Sequence, residues 1–339
     1  MSSVLAKKSS KEPNDGGFTP VKHWASIEGL WRFARNTGAA TFLGGATQGE
    51  ESLTFKSPIG LALAAGKIRD GILCTTVKAE KSETLVPTHL GSWSHGATAG
   101  ILFGFQNTNA RYFAAVLGGF DRAYGLLMYE PAAGWRSLTA SGTSTNLEVG
   151  EEYRLELEIR GQSISLTVDG VEVIDSYCLS EPFDGTGFGL FAWGSASFAF
   201  KDSQSSSQPP EVFVVMPFNE PYDTLYRAVI QRVAKREGFL INRVDEIRGP
   251  GNILEDIRRQ IESSHVVVAE ISTHNPNVFY EVGYAHALKK PVILLARRGG
   301  EGDLPFDLRP YRVIFYDDTI GGKQEVERAL RDHLRSVLR

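Results

Sequence analysis

From residue 18 to residue 202 the apolar positions follow no helical period. Runs such as LTFKSP, GILCTTVKAE, AGILFGFQ, YFAAVLGGF, YGLLMYE, YRLELEIRG, SISLTVDGVEVI and GFGLFAWG fill this stretch. Several alternate apolar and polar residues, as strands do when one face lies in a core and the other in water. Turn signals separate them at Asn107-Thr108-Asn109, Asp169-Gly170 and Asp184-Gly185. The stretch 163–174, with Asp169-Gly170 between two alternating runs, predicts a hairpin. Many short strands rich in glycine and aromatic residues predict an antiparallel β-sandwich over 18–202. Residues 1–17 read as a disordered tail. The polar stretch KDSQSSSQPPE ends the pattern and predicts a linker at 203–210.

Over 211–339 the pattern changes. VFVVMPF is a continuous apolar run, suited to a strand buried on both faces. TLYRAVIQRVAKREG places Leu225, Val229 and Val233 at helical spacing, with Gly238 as its stop. FLINRV is a second strand. NILEDIRRQIESS is a helix with Ile253, Ile257 and Ile261 in one stripe, and HVVVAEIS is a third strand. A helix then runs from about Pro276 to Lys290, followed by strands PVILLA and RVIFYD and the helix KQEVERALRDHLRSVL. Strands alternating with helices predict a parallel five-stranded sheet of flavodoxin-like order.

Such sheets bind ligands beyond the carboxyl ends of their strands, near the point where strand order reverses. The first strand leaves through Met216, Pro217, Phe218 and Asn219. The third leaves through Glu270, Ile271, Ser272 and on to Asn277, and the second near Arg243, Asp245 and Glu246. Asn275-Pro276 fits a helix cap followed by proline at the first helical position. In the helix that follows, Val278, Val282 and Ala285 form the inward stripe, and Glu281 lies on its edge with Leu288. Burial there would raise the Glu281 pKa and the helix N-terminus would lower it; spacing leaves the net sign open, as it leaves open an ordinary solvated glutamate.

The block HVVVAEISTHNPNVFYEVGYAHALKKPVILL resembles the core of the nucleoside 2-deoxyribosyltransferase-like domains, which are related to TIR domains. The MPF and RVDEI segments extend the resemblance over 211–318. It implies cleavage of an N-glycosidic bond, with Glu281 in the position of the family's essential glutamate. Glu270 stands where many relatives carry aspartate, as a second catalytic carboxylate. The substrate so implied is NAD or another nucleotide or nucleoside, with no cofactor. The alternatives are deoxyribosyl transfer and nucleotide binding without turnover. Bacterial defence and a homo-oligomer also follow from the TIR-like resemblance, though the sequence supplies no interface. Gly283 would allow backbone or ligand to approach closely.

The substrate-binding set around these carboxylates is Met216, Pro217, Phe218, Tyr222, Arg243, Glu246, Ser272, Asn275, Asn277 and Tyr284. Phe218, Tyr222 and Tyr284 could stack on a base or simply pack. Arg243 and Arg248 could face phosphates or pair with carboxylates. His274 could donate to a leaving group, and Gly249-Pro250-Gly251 could cover the site or only turn into the next helix. The series YRLELEIRGQSISLTVDGVEV and GTGFGLFAWGSASFAFKD resembles the last strands of concanavalin-like (laminin-G or glucanase-type) jelly rolls. That resemblance implies the fold and a carbohydrate ligand for the sandwich as sensor or scaffold. Trp93, Trp135 and Trp193 either line a sugar platform or pack in its core.

Composition narrows the classes. The net charge is −4 with no long basic run, which disfavours a nucleic-acid partner. No apolar run approaches the roughly 18 residues of a membrane span. The polar N-terminus lacks the apolar core of a secretory signal, which predicts a cytoplasmic protein. The two cysteines, Cys74 and Cys178, sit apart in apolar strands and predict buried thiols, not metal ligands. Asn107, Asn109 and Asp121 make no calcium spacing, and no metal is expected.

Overall fold

The computed structural model describes residues 17–44, 59–80, 97–120, 122–143, 147–183, 185–194, 196–246, 252–299 and 304–338. Trp93, Asp121, Asp184, Arg248, Gly249-Pro250-Gly251 and the tail through residue 16 lie outside them.

The first unit is a sandwich of two antiparallel sheets. One is ordered β13 (Val171–Cys178), β12 (Ser163–Val168), β11 (Glu152–Arg160), β6 (Gly71–Ala79), β15 (Phe198–Ser207), β4 (Ala40–Phe42), β3 (Trp31–Phe33), with β1 (Thr19–Pro20) also on β15. The other is ordered β10 (Gly134–Ser141), β9 (Tyr124–Glu130), β8 (Tyr112–Gly118), β7 (Thr98–Phe105), β14 (Gly187–Trp193), β5 (Ile59–Ala64), β2 (Trp24–Glu28). Alternation explains the packing: Leu155, Leu157 and Ile159 of β11 and Ile164, Leu166 and Val168 of β12 all enter the shared core. The predicted hairpin turns at Asp169 and Gly170, with φ of 50° and 79°, the left-handed pair that a two-residue turn requires.

The predicted linker at 203–210 is mostly strand. Ser203–Ser207 continues β15 along β6, with Ser207 opposite Gly71. Serine side chains look like loop in a sequence, but ladder hydrogen bonds use only the backbone. Here Ser203 Oγ also lies 2.8 Å from Thr75 Oγ1 inside the sheet. Only Gln208, Pro209 and Pro210 separate the sandwich from the next strand.

The second unit is a five-stranded parallel sheet ordered β17 (Leu240–Arg243), β16 (Glu211–Val215), β18 (Val266–Glu270), β19 (Val292–Arg297), β20 (Val313–Tyr316). In order of sequence this is 2-1-3-4-5, the flavodoxin-like order, with strand order reversing between β16 and β18. On one face pack α1 (Tyr222–Leu225), a π-helical turn (Tyr226–Ile230), α2 (Gln231–Arg236) and α5 (Ile320–Val337). On the other pack α3 (Ile253–Ser263) and α4 (Pro276–Ala287). α4 ends at Ala287, short of the predicted Lys290, because Lys289 turns into the left-handed region at φ 55° and closes the helix.

The sandwich meets the α/β unit at the amino-terminal ends of the parallel strands. The β11–β12 turn at Gly161-Gln162 lies against the end of α3, where the Gln162 backbone N–H donates to Glu262 O at 3.1 Å. A Cβ on Gly161 would sit 2.6 Å from the carbonyl oxygens of both Ser263 and Ser264, and its φ is +55°. Gly161→Ala is therefore expected to cost about 2 kcal/mol and to loosen the two units. Urea unfolding and limited proteolysis of the Gln208–Pro210 junction would check this, and unchanged stability would contradict it.

Candidate functional site

The candidate residues lie at the carboxyl ends of β16, β17, β18 and β19 and on α4, and the cavity at the strand ends is not lined by Glu281. Asn275 caps α4 by accepting the Asn277 N–H at 2.9 Å, and Pro276 occupies the first turn. Asn275 is thus engaged in the cap, while Asn277 is exposed. Val278, Val282 and Ala285 pack onto the sheet, as their spacing predicts.

Glu281 is 9% exposed on the edge of that stripe. Among the described residues its carboxylate makes no hydrogen bond or ion pair, and burial alone pushes its pKa up to about 7. Burial gives the upward direction that spacing left open. Asn277, Glu281 and Tyr284 share one edge of α4 by helical pitch. Tyr284 fixes which way that edge faces: its hydroxyl donates to Glu262, and Arg258 lies over its ring at 5.5 Å, both from α3. Glu281 accordingly borders the α3 side of α4, one turn nearer the carboxyl ends of the strands than Tyr284. Gly283 is exposed, and a Cβ there would meet nothing within 4 Å, so no part of the described chain makes the close approach the sequence allowed for.

Glu270 is differently placed. Ending β18 at 1% exposure, it accepts hydrogen bonds from Ser272 Oγ, from the Ser272 N–H at 3.3 Å and from Tyr316 Oη at 3.2 Å. Burial raises its pKa, partly offset by those donors and by Arg297. Ser272 Oγ also accepts the Arg297 N–H at 2.7 Å, so the carboxylate organises the exits of β18 and β19 together.

Arg243 ends β17 at 2% exposure. Its Nε and Nη2 each donate to Asp245 at 2.6 Å and its Nη1 to Asp223 at 2.7 Å. The guanidinium lies 4.3 Å over the Tyr226 ring and 5.3 Å from that of Phe218. Burial opposes its charge, and the two carboxylates outweigh that opposition. Of the two readings left open for Arg243, the structure has the paired one. Glu246 accepts from Tyr226 Oη at 2.8 Å and belongs to the same cluster. Above it Phe218 is 52% exposed, while Met216 is buried beneath; Pro217, between them, is partly exposed.

Tyr222 is buried, with Arg297 5.3 Å over its ring. The two line a cavity of roughly 200 Å³ with Ile271, Ser272, His274 and Leu304. Sequence reading missed Arg297 and Tyr316; the signal was present, since both lie at the ends of the fourth and fifth strands. His274 holds φ 51° in the same loop.

In the sandwich Trp135 is partly buried, its ring 4.7 Å from Phe191 and 5.5 Å from both Tyr112 and Tyr129. Trp193 packs at the edge of the same cluster. Cys74 and Cys178 are free thiols, each pushed up to about 11, chiefly by burial. No helix among the described residues is long and apolar enough to cross a membrane.

No family model matches the chain, and no curated protein matches it. Among solved structures it is similar to carbohydrate-binding module CBM66 from Bacillus subtilis, at TM-score 0.42 and 16% identity over 55% of this chain and 97% of that one. It is also similar to Bacillus licheniformis β-glucanase, at TM-score 0.35 and 10% identity over 57% of this chain and 100% of that one. A third likeness, at TM-score 0.30 and 16% identity, is to Clostridium botulinum CMP N-glycosidase, over 35% of this chain and 96% of that one.

Proposed function

We propose that the α/β unit cleaves the N-glycosidic bond of a nucleotide or nucleoside, NAD included, with Glu281 as the carboxylate that meets C1′. The observation that carries this reading is a buried glutamate within FYEVGYA that has no partner among the described residues and whose pKa burial pushes up to about 7. An oxocarbenium-like transition state develops positive charge at C1′, which a fixed carboxylate in a poorly solvated place stabilises. A Glu281 oxygen bonds to C1′ as the C1′–N bond breaks, and the base leaves with the electron pair; a base from a neutral nucleoside or nucleotide takes up a proton, whereas nicotinamide leaves the cationic ring of NAD already neutral. Water then attacks C1′, releases Glu281 and gives up a proton, completing hydrolysis; a second base in place of water completes transfer.

Glu281 acts ionised in this scheme, so base release should rise with pH through about 7 and then level. A rate–pH profile checks that, and a rate that falls through the same range would contradict it. A second reading, nucleotide binding without turnover, draws on Glu270 and Arg243, both engaged within the protein. Chromatography of NAD and a nucleoside and nucleotide panel after incubation with the protein separates the readings. Free base supports hydrolysis, base exchange supports transfer, and binding without product supports the second reading. The β-sandwich is proposed as sensor or scaffold, with carbohydrate as its ligand class.

A further inference from the structure

The sandwich holds the helix that carries Glu281, and it holds it at one end. Gln162 is buried in the turn between β11 and β12, and its Nε2 donates to two carbonyls. One is Leu179 O of the sandwich at 2.8 Å; the other is Leu288 O, just past the end of α4, at 3.0 Å. Because Nε2 faces two acceptors, the orientation of the amide is fixed. One residue further on, Lys289 holds φ 55°, a conformation that favours glycine, and its ammonium pairs with Glu181 of the sandwich. Lys290 then donates to Glu262 O at 2.7 Å and Ser264 O at 2.5 Å, tying the end of α4 to the end of α3. Leu288 and Lys290 are thus held by buried hydrogen bonds, the first of them to the sandwich, while the Lys289–Glu181 pair that also joins α4 to the sandwich is exposed.

Leu288 and Glu281 lie seven residues apart on the same edge of the helix, about 10 Å along its axis. A packed helix moves as a rigid body, so a shift at Leu288 reaches Glu281. We propose that Gln162 is a positioning residue for Glu281, acting through α4, so that the docking of the sandwich sets how deeply that carboxylate is buried. The proposal rests on Glu281 being the reacting carboxylate.

The junction itself is polar. Asp70 of the sandwich accepts the Gly161 N–H at 2.6 Å, and its other oxygen lies 3.0 Å from His265 Nδ1 without the alignment of a hydrogen bond. Arg69 donates to Val337 O at 3.0 Å, and Arg160, Glu211 and Glu262 also act on this cluster. Burial pushes Asp70 up to about 6, His265 down to about 3 and Lys290 down to about 8. Burial thus disfavours the charged form of each of the three. Such a contact suits a joint that an event in the sandwich can loosen.

The test reads the carboxylate, not turnover, so its failure is distinct from failure of the catalytic reading. Carbon-13 labelling of glutamate carboxyls, with Glu281 assigned by Glu281→Gln, gives its titration midpoint in the full chain. Gln162→Met is expected to lower that midpoint by about one unit, towards the value of a solvated carboxylate, and Glu181→Gln, which removes an exposed ion pair, by about a few tenths of a unit. They should also speed hydrogen exchange in the last turn of α4 by about fivefold. Arg69→Met weakens the junction at α5 without touching α4 and should leave both readings unchanged. A midpoint unmoved in the first two variants, or moved equally in the third, overturns the proposal. Should Gln162→Met fail to fold, Glu181→Gln against Arg69→Met decides.

Discussion

Glu281→Gln is expected to gain stability on the wild type as pH rises, by about 2 kcal/mol between about pH 5 and pH 8. The sign follows from linkage. Burial raises the folded-state pKa from the ordinary 4.5 to about 7, so between those values the folded wild type binds more protons than the unfolded chain. Wild-type stability therefore falls across that window, while glutamine has nothing to titrate. Comparing the change between two pH values cancels the constant cost of burying an amide in place of an acid. Urea unfolding of both proteins across the range measures the effect. A difference that stays constant with pH would mean Glu281 titrates as a solvated carboxylate, and the feature on which the functional reading stands would be absent.

Arg243→Met should be the most damaging single change in the α/β unit, at about 3–5 kcal/mol. Asp245 and Asp223 take three charge-assisted hydrogen bonds from a guanidinium that is 2% exposed. Without it two carboxylates remain beside one another, and the rings of Tyr226 and Phe218 lose the group between them. Arg243→Lys keeps the charge but not the planar fork, and an intermediate loss is expected. Adding Asp223→Asn and Asp245→Asn to Arg243→Met should recover part of the stability, since the uncompensated charges go with them. A loss under about 1 kcal/mol for Arg243→Met would show that the triad contributes little.

The α/β fold was legible because its three central strands are buried on both faces and its helices are striped, so two periods alternate along the chain. Local capping was legible for the same reason: Asn275-Pro276 announces α4 within three residues. Contacts between distant segments were not. Nothing near Arg243 marks Asp223, twenty positions earlier, as its partner, and nothing in Gly161-Gln162 distinguishes a surface hairpin turn from one pressed against Ser263 and Leu288. The Ser203–Ser207 segment misled because polar side chains were read as loop, whereas β6 offered a ladder to its backbone. For Glu281, helical pitch placed the residue at the stripe's edge, but only the position of α3 decided that the edge faces protein.

Base release by wild type, Glu281→Gln and Glu270→Gln, measured side by side on the substrate that the nucleotide panel identifies, tests the central claim most directly. The account predicts release by the wild type, loss by about a thousandfold or more in a folded Glu281→Gln, and a smaller reduction in Glu270→Gln as the strand exits loosen. Wild-type release by Glu281→Gln would contradict it.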